Sequence, residues 1–441
     1  MLENKIMNWL FRLTLLPLCL LVRLLDWTPA YSQAAAVKGD TEAVARQAVL
    51  MISIDGLMPE LVLQADRHAL DLPVLRRFLI DGSFAERVVN VNPTVTNPNH
   101  TTLVTGVLPS EHGILNNRPF AASATLPGTY QQYSQIRVPT LWGAAKAAGL
   151  KTGSMFWPVT TGAEDIDFNL SAGSDEDDDQ IVRDAIRLIK DERPELLTVH
   201  LVSFDHKQHA SGPFTPRAFA VLERIDGAVG RIIDAQRTVY PESVIMIVSD
   251  HGFFEVKHKM NLNRALVDAG FISPDANGDV GSWRAFAWYV GGSAMVVLED
   301  DAVRSSVGAF LRGLAHEPEN GIERVYSRDE IASAGLASNV EFVVSFRPGY
   351  RMGTSLTGPL LEPFSGGAHG AYTTRDDRPD MHASLFVSGP GIASGRNLGI
   401  VDMRQIAPTI AGILGIAFPS AKSPPLPVNE RPKSSVAEGQ P

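Results

Sequence analysis

Three apolar runs in this chain each close on an aspartate. "AVLMISIDG" reaches Asp55, "LLTVHLVSFDH" reaches Asp205, and "SVIMIVSDHG" reaches Asp250 with His251 directly after it. Carboxylates gathered in one place repel one another unless cations compensate them. Histidines stand where such cations could be held. His209 follows Asp205 by four residues, which on one helical turn puts both side chains on one face. His369 sits in "GGAHGAY", where glycines let the backbone come close to a ligand. Imidazole nitrogen together with carboxylate oxygen is a donor set that zinc accepts. Two such ions about 4 Å apart form a clamp for a phosphoryl group.

A further stretch, "NPTVTNPNHTTLVTG" from Asn92 to Gly106, is too rich in Thr, Asn and Pro for ordinary core. Thr96 stands at the entry to a helix carrying Leu103 and Val104. Its hydroxyl could cap that helix or act as a nucleophile. The residues alone leave both roles open.

The elements that must position these groups follow from the hydrophobic pattern. Short apolar runs alternate with amphipathic stretches, the mark of an α/β fold with a mostly parallel sheet covered by helices. Ligands of such open sheets gather beyond the carboxyl ends of the strands. The three acids are therefore expected along one edge. Between Arg217 and Gln236, Phe219, Leu222, Ile225, Val229 and Ile232 follow helical spacing. Residues 253–364 carry apolar runs of their own, "SAMVVLE" and "VEFVVSF", and read as a small inserted subdomain. "ASLFVSGPG" returns to the main sheet, and Met403 to Leu414 is a closing helix. The Pro- and Ser-rich tail, 418–441, is expected to be disordered.

Composition narrows the classes. The chain has 441 residues, 44% hydrophobic and 20% charged, with a formal net charge of −10. That balance and the lack of a Lys/Arg-rich stripe argue against binding duplex nucleic acid. The acidic run Asp175 to Asp179 lacks EF-hand spacing and reads as a loop or helix start. Residues 1–32 read as an export leader: Lys5 and Arg12, the apolar run Leu13 to Val22, then Ala30 and Ser32 at small-residue cleavage positions. The run is short for a membrane span and is followed by Arg23 and Asp26. A periplasmic or secreted protein without a stable membrane anchor is expected. The one cysteine, Cys19, lies in the leader, so the mature chain would have no thiolate chemistry.

Taken in succession, Asp55-Gly56, "TNPNHTTLVTG", "HGILNN", "FWP", "DHKQHASGP", "SDHG" and "GAHG" resemble the nucleotide pyrophosphatase/phosphodiesterase family of the alkaline phosphatase superfamily. The similarity runs from about Ala48 to Gly415. It implies an α/β/α sandwich of the alkaline-phosphatase type with residues 45–415 as one catalytic domain and two zinc ions. By position, Asp55, Asp250 and His251 would hold one zinc together with the Thr96 oxygen. Asp205, His209 and His369 would hold the other. Thr96 would attack phosphorus and form a covalent phospho-threonine. Asn117, the second Asn of "HGILNN", would hydrogen-bond a phosphoryl oxygen. The expected substrate is a small phosphodiester or pyrophosphate. Family members that cleave nucleotides tend to carry an aromatic residue where this chain has Asn97, so base recognition should be weak. Trp157 is the candidate for a substrate-facing wall.

Related chemistries on the same scaffold are the alternatives. Sulfatase and alkaline-phosphatase nucleophile patterns are absent around Thr96. Phosphonoacetate hydrolases can also place an asparagine after the threonine, but "GSMFWPVTTG" lacks the substrate-binding lysines expected of them. A phosphomonoesterase is a further alternative. A non-catalytic binding protein would be marked by loss of a ligand or nucleophile, and all seven positions are filled.

Overall fold

The computed structural model describes residues 46–172, 177–374 and 377–429. Residues 1–45 (the expected leader included), part of the acidic run, residues 375–376 and the tail beyond 429 lie outside the described residues.

The apolar runs form the centre of an eight-stranded sheet. Its strands are β1 (Val49–Ile54), β2 (Ser83–Phe84), β3 (Thr152–Met155), β4 (Phe168–Leu170), β5 (Leu196–Leu201), β6 (Val244–Val248), β7 (Leu385–Ser388) and β8 (Arg396–Asn397). The order is β8-β2-β7-β6-β1-β5-β3-β4. β1 pairs in parallel with β5, Ile54 opposite Leu201, and with β6, Val49 opposite Val244. β7 is antiparallel to both of its neighbours. Side chains alternate between two cores. Leu50, Ile52, Ile54, Leu197, Val199, Ile245 and Ile247 face one. Val49, Met51, Leu196, Val244, Met246 and Val248 face the other. A sheet covered on both faces has no polar side, which is why these strands read as unbroken apolar runs.

Helices supply the outer layers. On the first face lie α3 (Asp178–Asp191) and α5 (Pro216–Val239). Asp177 caps α3 by accepting the Gln180 N–H, so the acidic run does start a helix. α5 starts on Thr215, whose hydroxyl accepts the Ala218 N–H, with Pro216 in the first turn. On the second face lie α2 (Thr96–Thr105) and α6 (Ile406–Leu414), packed through Leu103, Val104, Ile406 and Ile410. A short helix before them, α1 (Pro73–Asp81), and one between α3 and α5, α4 (Ser203–Ser211), complete the set used below. Among the described residues no helix is long and apolar enough to cross a membrane.

The segment after Gly252 builds a two-stranded pair, Ile272–Pro274 with Val280–Trp283, and two larger sheets. One is antiparallel, ordered Ala285–Tyr289, Ser293–Leu298, Val340–Phe346, Ile322–Ser327, with the helix Arg304–His316 beside it. The other has Phe254–Met260 between Gly349–Met352 and Leu361–Ala368. Met260, Phe286, Val296, Val344 and Phe346 share a core of their own. The boundary expected at 364 falls inside the strand Leu361–Ala368, which runs on to deliver His369.

Residues 418–429 depart from the disorder expected of 418–441. Leu426 and Val428 are buried against the second core. Leu426 N–H donates to Thr409 Oγ1 at 2.8 Å, and Ala393 N–H donates to Val428 O at 2.9 Å. Pro- and Ser-rich composition disfavours helices but does not prevent two apolar residues at i and i+2 from filling a groove beside α6.

Candidate active site

The acids converge as the strand order requires. Asp55 directly follows β1, and Asp250 follows β6 by two residues. Asp205 departs slightly from expectation. β5 ends at Leu201, and Asp205 lies in the first turn of α4 rather than at the strand end. That register places it one helical turn before His209, with Nε2 3.5 Å from its Oδ2. Asp178 fixes the start of α4: its Oδ1 accepts the Val202 N–H at 2.8 Å, and its carboxylate also accepts the Ser203 N–H.

Two clusters result, Asp55/Asp250/His251 and Asp205/His209/His369, with the donor atoms within each lying inside 4.8 Å of one another. In the first, His251 Nε2 is 3.0 Å from Asp250 Oδ2 and 3.5 Å from Asp55 Oδ1. In the second, His369 Nε2 is 3.8 Å from Asp205 Oδ1. The His251 and His369 rings stack at 3.8 Å and join the clusters. Each of the three histidines has its Nδ1 on a backbone carbonyl: His251 on Gly252, His209 on Gly367, His369 on Thr94. A ring that donates from Nδ1 to a carbonyl presents Nε2 as a free lone pair.

The electrostatics fit a bound cation. Asp55 Oδ1, Asp205 Oδ1 and Asp250 Oδ2 are buried and make no hydrogen bond, a costly state for carboxylate oxygens. Burial, together with the Asp250 and Asp205 charges, pushes the Asp55 carboxyl well above the usual aspartate range. Burial, with the His251 and His209 charges, holds the His369 imidazole well below its ordinary value. Carboxylates short of positive charge and a neutral imidazole with an open Nε2 are what a divalent metal needs. The residues present fit the group.

Thr96 is the first residue of α2, and its hydroxyl makes no capping bond; the N-cap position belongs to Val95. The hydroxyl instead lies 3.4 Å from His251 Nε2. The rest of α2, Asn97 to Thr105, is buried all round, which explains its lack of an amphipathic pattern. Thr94 is fully buried and its hydroxyl donates to Ala371 O at 2.7 Å, so it has no access to a substrate. Asn117 lies beside Thr96. Its Oδ1 accepts the Asn97 N–H at 2.7 Å, which leaves the Nδ2 donor for the pocket. Asn97 is itself committed: its Nδ2 donates to Tyr130 O and Asn117 O, tying the 117–130 loop to the helix start.

Trp157 does not line the site. It has no exposed surface, donates Nε1–H to His100 O at 3.3 Å, and packs edge-on against His100 and Trp142. Phe156 and Val159 flank it with positive φ of 61° and 60°, a backbone that turns the indole into the core and the flanking residues outward. The cavity over Thr96, about 300 Å³, is walled by Tyr130, Phe156, Pro158 and Val159 with Asn117 and Asp205 at its floor.

One functional contact has no sequence signal. His200 is buried in β5, and its Nε2 lies 2.9 Å from Asp55 Oδ2 and its Nδ1 3.1 Å from Phe156 O. It orients the carboxylate from behind. His100 and His112 make structural contacts: His100 meets Ser53 Oγ and Thr96 O, and His112 meets Thr102 Oγ1 and the Ile114 N–H.

Residues 49–372 match the model of the type I phosphodiesterase / nucleotide pyrophosphatase family. The chain belongs to this family. Its members are metal-dependent hydrolytic enzymes. Among relatives, the human ectonucleotide pyrophosphatase/phosphodiesterase family member 1 is 29% identical over 240 residues, covering 50% of this chain and 25% of the human protein. An uncharacterized pyrophosphatase/phosphodiesterase of Schizosaccharomyces pombe is 27% identical over 365 residues, covering 74% of this chain and 69% of that protein. The chain thus spans about a quarter of the mammalian relative and most of the yeast one. In fold it is similar to murine ectonucleotide pyrophosphatase/phosphodiesterase 5, solved as an inactive variant in complex with AMP. The TM-score is 0.66 at 19% identity, over 84% of this chain and 96% of that one. That likeness identifies the alkaline-phosphatase-like α/β fold.

Proposed function

We propose that this protein hydrolyses phosphodiester or pyrophosphate bonds of small molecules with Thr96 as nucleophile. The observation that carries the reading is the convergence of two Asp/His clusters on one threonine hydroxyl with a spare amide donor beside it. Asp55, Asp250 and His251, with Thr96 Oγ1, are the residues to hold one zinc ion, and Asp205, His209 and His369 the other. Bound there, the two ions supply Lewis acidity, lowering the pKa of a hydroxyl or water and offsetting charge on the phosphoryl group.

The chain's own residues then do the following. Thr96 Oγ1, its proton given up to solvent, attacks phosphorus. An Oγ1–P bond forms and the P–O bond to the leaving group breaks, its electron pair staying on the departing oxygen. Asn117 Nδ2 donates to a non-bridging oxygen as negative charge builds there. Water attacks the phospho-threonine, the Oγ1–P bond breaks, and Thr96 recovers its proton. His200 holds Asp55 in place throughout. Tyr130 and Phe156 offer flat apolar surface to the substituent that is not released.

Activity and metal content of the purified protein test this together. Chelation should abolish hydrolysis of bis-p-nitrophenyl phosphate and zinc should restore it. Thr96→Ala should lose nearly all turnover while keeping both metal equivalents. A metal-free preparation with full activity, or a Thr96→Ala protein with wild-type turnover, overturns the reading.

A further inference from the structure

On the far side of Asn117 from the Thr96 cavity is a second, of about 190 Å³, which shares Asn117 as a wall and carries His209 and His369 on another. Two arginines, Arg118 and Arg351, line it. They come from distant segments: Arg118 follows Asn117 directly, and Arg351 lies on the strand Gly349–Met352. Neither has an acidic partner among the described residues; the ion-paired arginines are others, such as Arg304 with Glu341 and Arg378 with Asp380. Arg118 Nη1 donates to Pro127 O. Arg351 Nη2 reaches Tyr289 Oη, and its guanidinium lies 5.5 Å from the Tyr289 ring centre and 5.4 Å from that of Phe364. Its Nε is buried with no hydrogen-bond partner. Burial alone pulls the Arg351 pKa down, with no carboxylate nearby to offset it. A half-buried guanidinium held between aromatic rings, on a cavity wall and with no carboxylate partner among the described residues, is in the state of a binding group awaiting an anion.

The side of the site matters. Thr96 attacks from the Asp55/Asp250/His251 cluster, so an in-line displacement sends the leaving group toward the other side. That side is the wall of His209 and His369, and the arginine cavity opens from it. We propose that Arg118 and Arg351 form an anion subsite for the leaving group, making this chain selective for substrates whose leaving group carries its own oxyanion, a phosphate or a carboxylate. The inference rests on the hydrolase reading above. In a phosphoanhydride the bridging P–O bond breaks, the electron pair stays on the oxygen of the departing phosphate, and the two guanidinium groups donate hydrogen bonds to that phosphate. A neutral aryl leaving group gains nothing there.

Three substrates with one common half test it: the 4-nitrophenyl ester of AMP, its 3-carboxy-4-nitrophenyl ester, and ADP. The readout is the ratio of kcat/KM for each anionic substrate to that for the neutral ester, in wild type, Arg118→Gln and Arg351→Gln. Each variant should lower the ratio for at least one anionic leaving group by roughly 10- to 100-fold, the worth of a charged hydrogen bond. A fall with ADP only assigns the subsite to phosphate; a fall with both assigns it to oxyanions generally. Arg351→Lys, which keeps charge and loses the fork, should fall between. The Kd of α,β-methylene-ADP relative to AMP should rise in parallel, independently of turnover. If Arg351→Gln does not fold, Arg118→Gln carries the test by itself. Ratios unchanged within about twofold, with all three substrates turned over, overturn the subsite and leave the hydrolase reading standing. Wild-type protein that cleaves none of the three overturns both.

Discussion

Asn117 joins two functions that substitution can separate. Its Oδ1 accepts the Asn97 N–H, a first-turn donor of α2 that no helical carbonyl can satisfy. In the proposed mechanism its Nδ2 donates to the phosphoryl group. Asn117→Ala removes both contacts. The lost acceptor should cost about 1 kcal/mol, as for a missing N-cap. The lost donor should cost about 10²–10³ in kcat, as for one oxyanion-hole contact, or roughly 2.7–4 kcal/mol of transition-state stabilisation. Asn117→Asp keeps the acceptor for Asn97 and replaces the donor with a negatively charged oxygen. Its stability should match wild type within about 0.5 kcal/mol, while its rate falls at least as far as that of the alanine variant, because like charges now meet at phosphorus. Denaturant unfolding gives the first quantity, bis-p-nitrophenyl phosphate kinetics the second, and metal analysis confirms that both clusters stay filled. An aspartate variant retaining more than half of wild-type kcat would refute the donor role. An alanine variant as stable as wild type would refute the cap.

Four further outcomes are expected. Asp205→Ala or His369→Ala should lose one metal equivalent and keep the other, read by elemental analysis; retention of both would contradict the division into two clusters. Asp178→Ala frees the Val202 and Ser203 N–H groups at the start of α4, so the affinity for the metal at Asp205 and His209 should fall by roughly 10-fold or more, with the other equivalent held. The His112 imidazole is pushed down to about 3 by burial. The unfolded chain takes up a proton below about pH 6.5 that the folded one refuses, so stability falls between pH 6.5 and 3, and by pH 4.5 this one group costs about 2–3 kcal/mol; His112→Gln should flatten that part of the acid-unfolding profile. Bis-p-nitrophenyl phosphate should be cleaved with higher kcat/KM than p-nitrophenyl phosphate, since the donor beside Thr96 is a neutral amide with no added cation; the reverse order would point to a monoesterase.

What the sequence makes legible is what depends on local pattern. The strands β1, β5 and β6 can be read because burial on both faces leaves an uninterrupted apolar run, and a strand that ends in an acid marks the sheet edge where a site forms. The cluster residues can be read because each stands at a strand end, one turn into a helix, or among glycines. What stays hidden depends on where distant segments meet. His200 looks like core because it is core; only the fold brings Asp55 across from the neighbouring strand to its Nε2. Trp157 looks like a pocket wall until two left-handed residues beside it turn the indole inward. The tail looks disordered by composition, yet Leu426 and Val428 find a groove that exists only once α6 has packed. Arg118 and Arg351 lie more than two hundred residues apart, and no spacing links them. Candidate catalytic groups are legible as residue types at strand ends; the two arginines proposed for selectivity are side chains that only the assembled fold puts together.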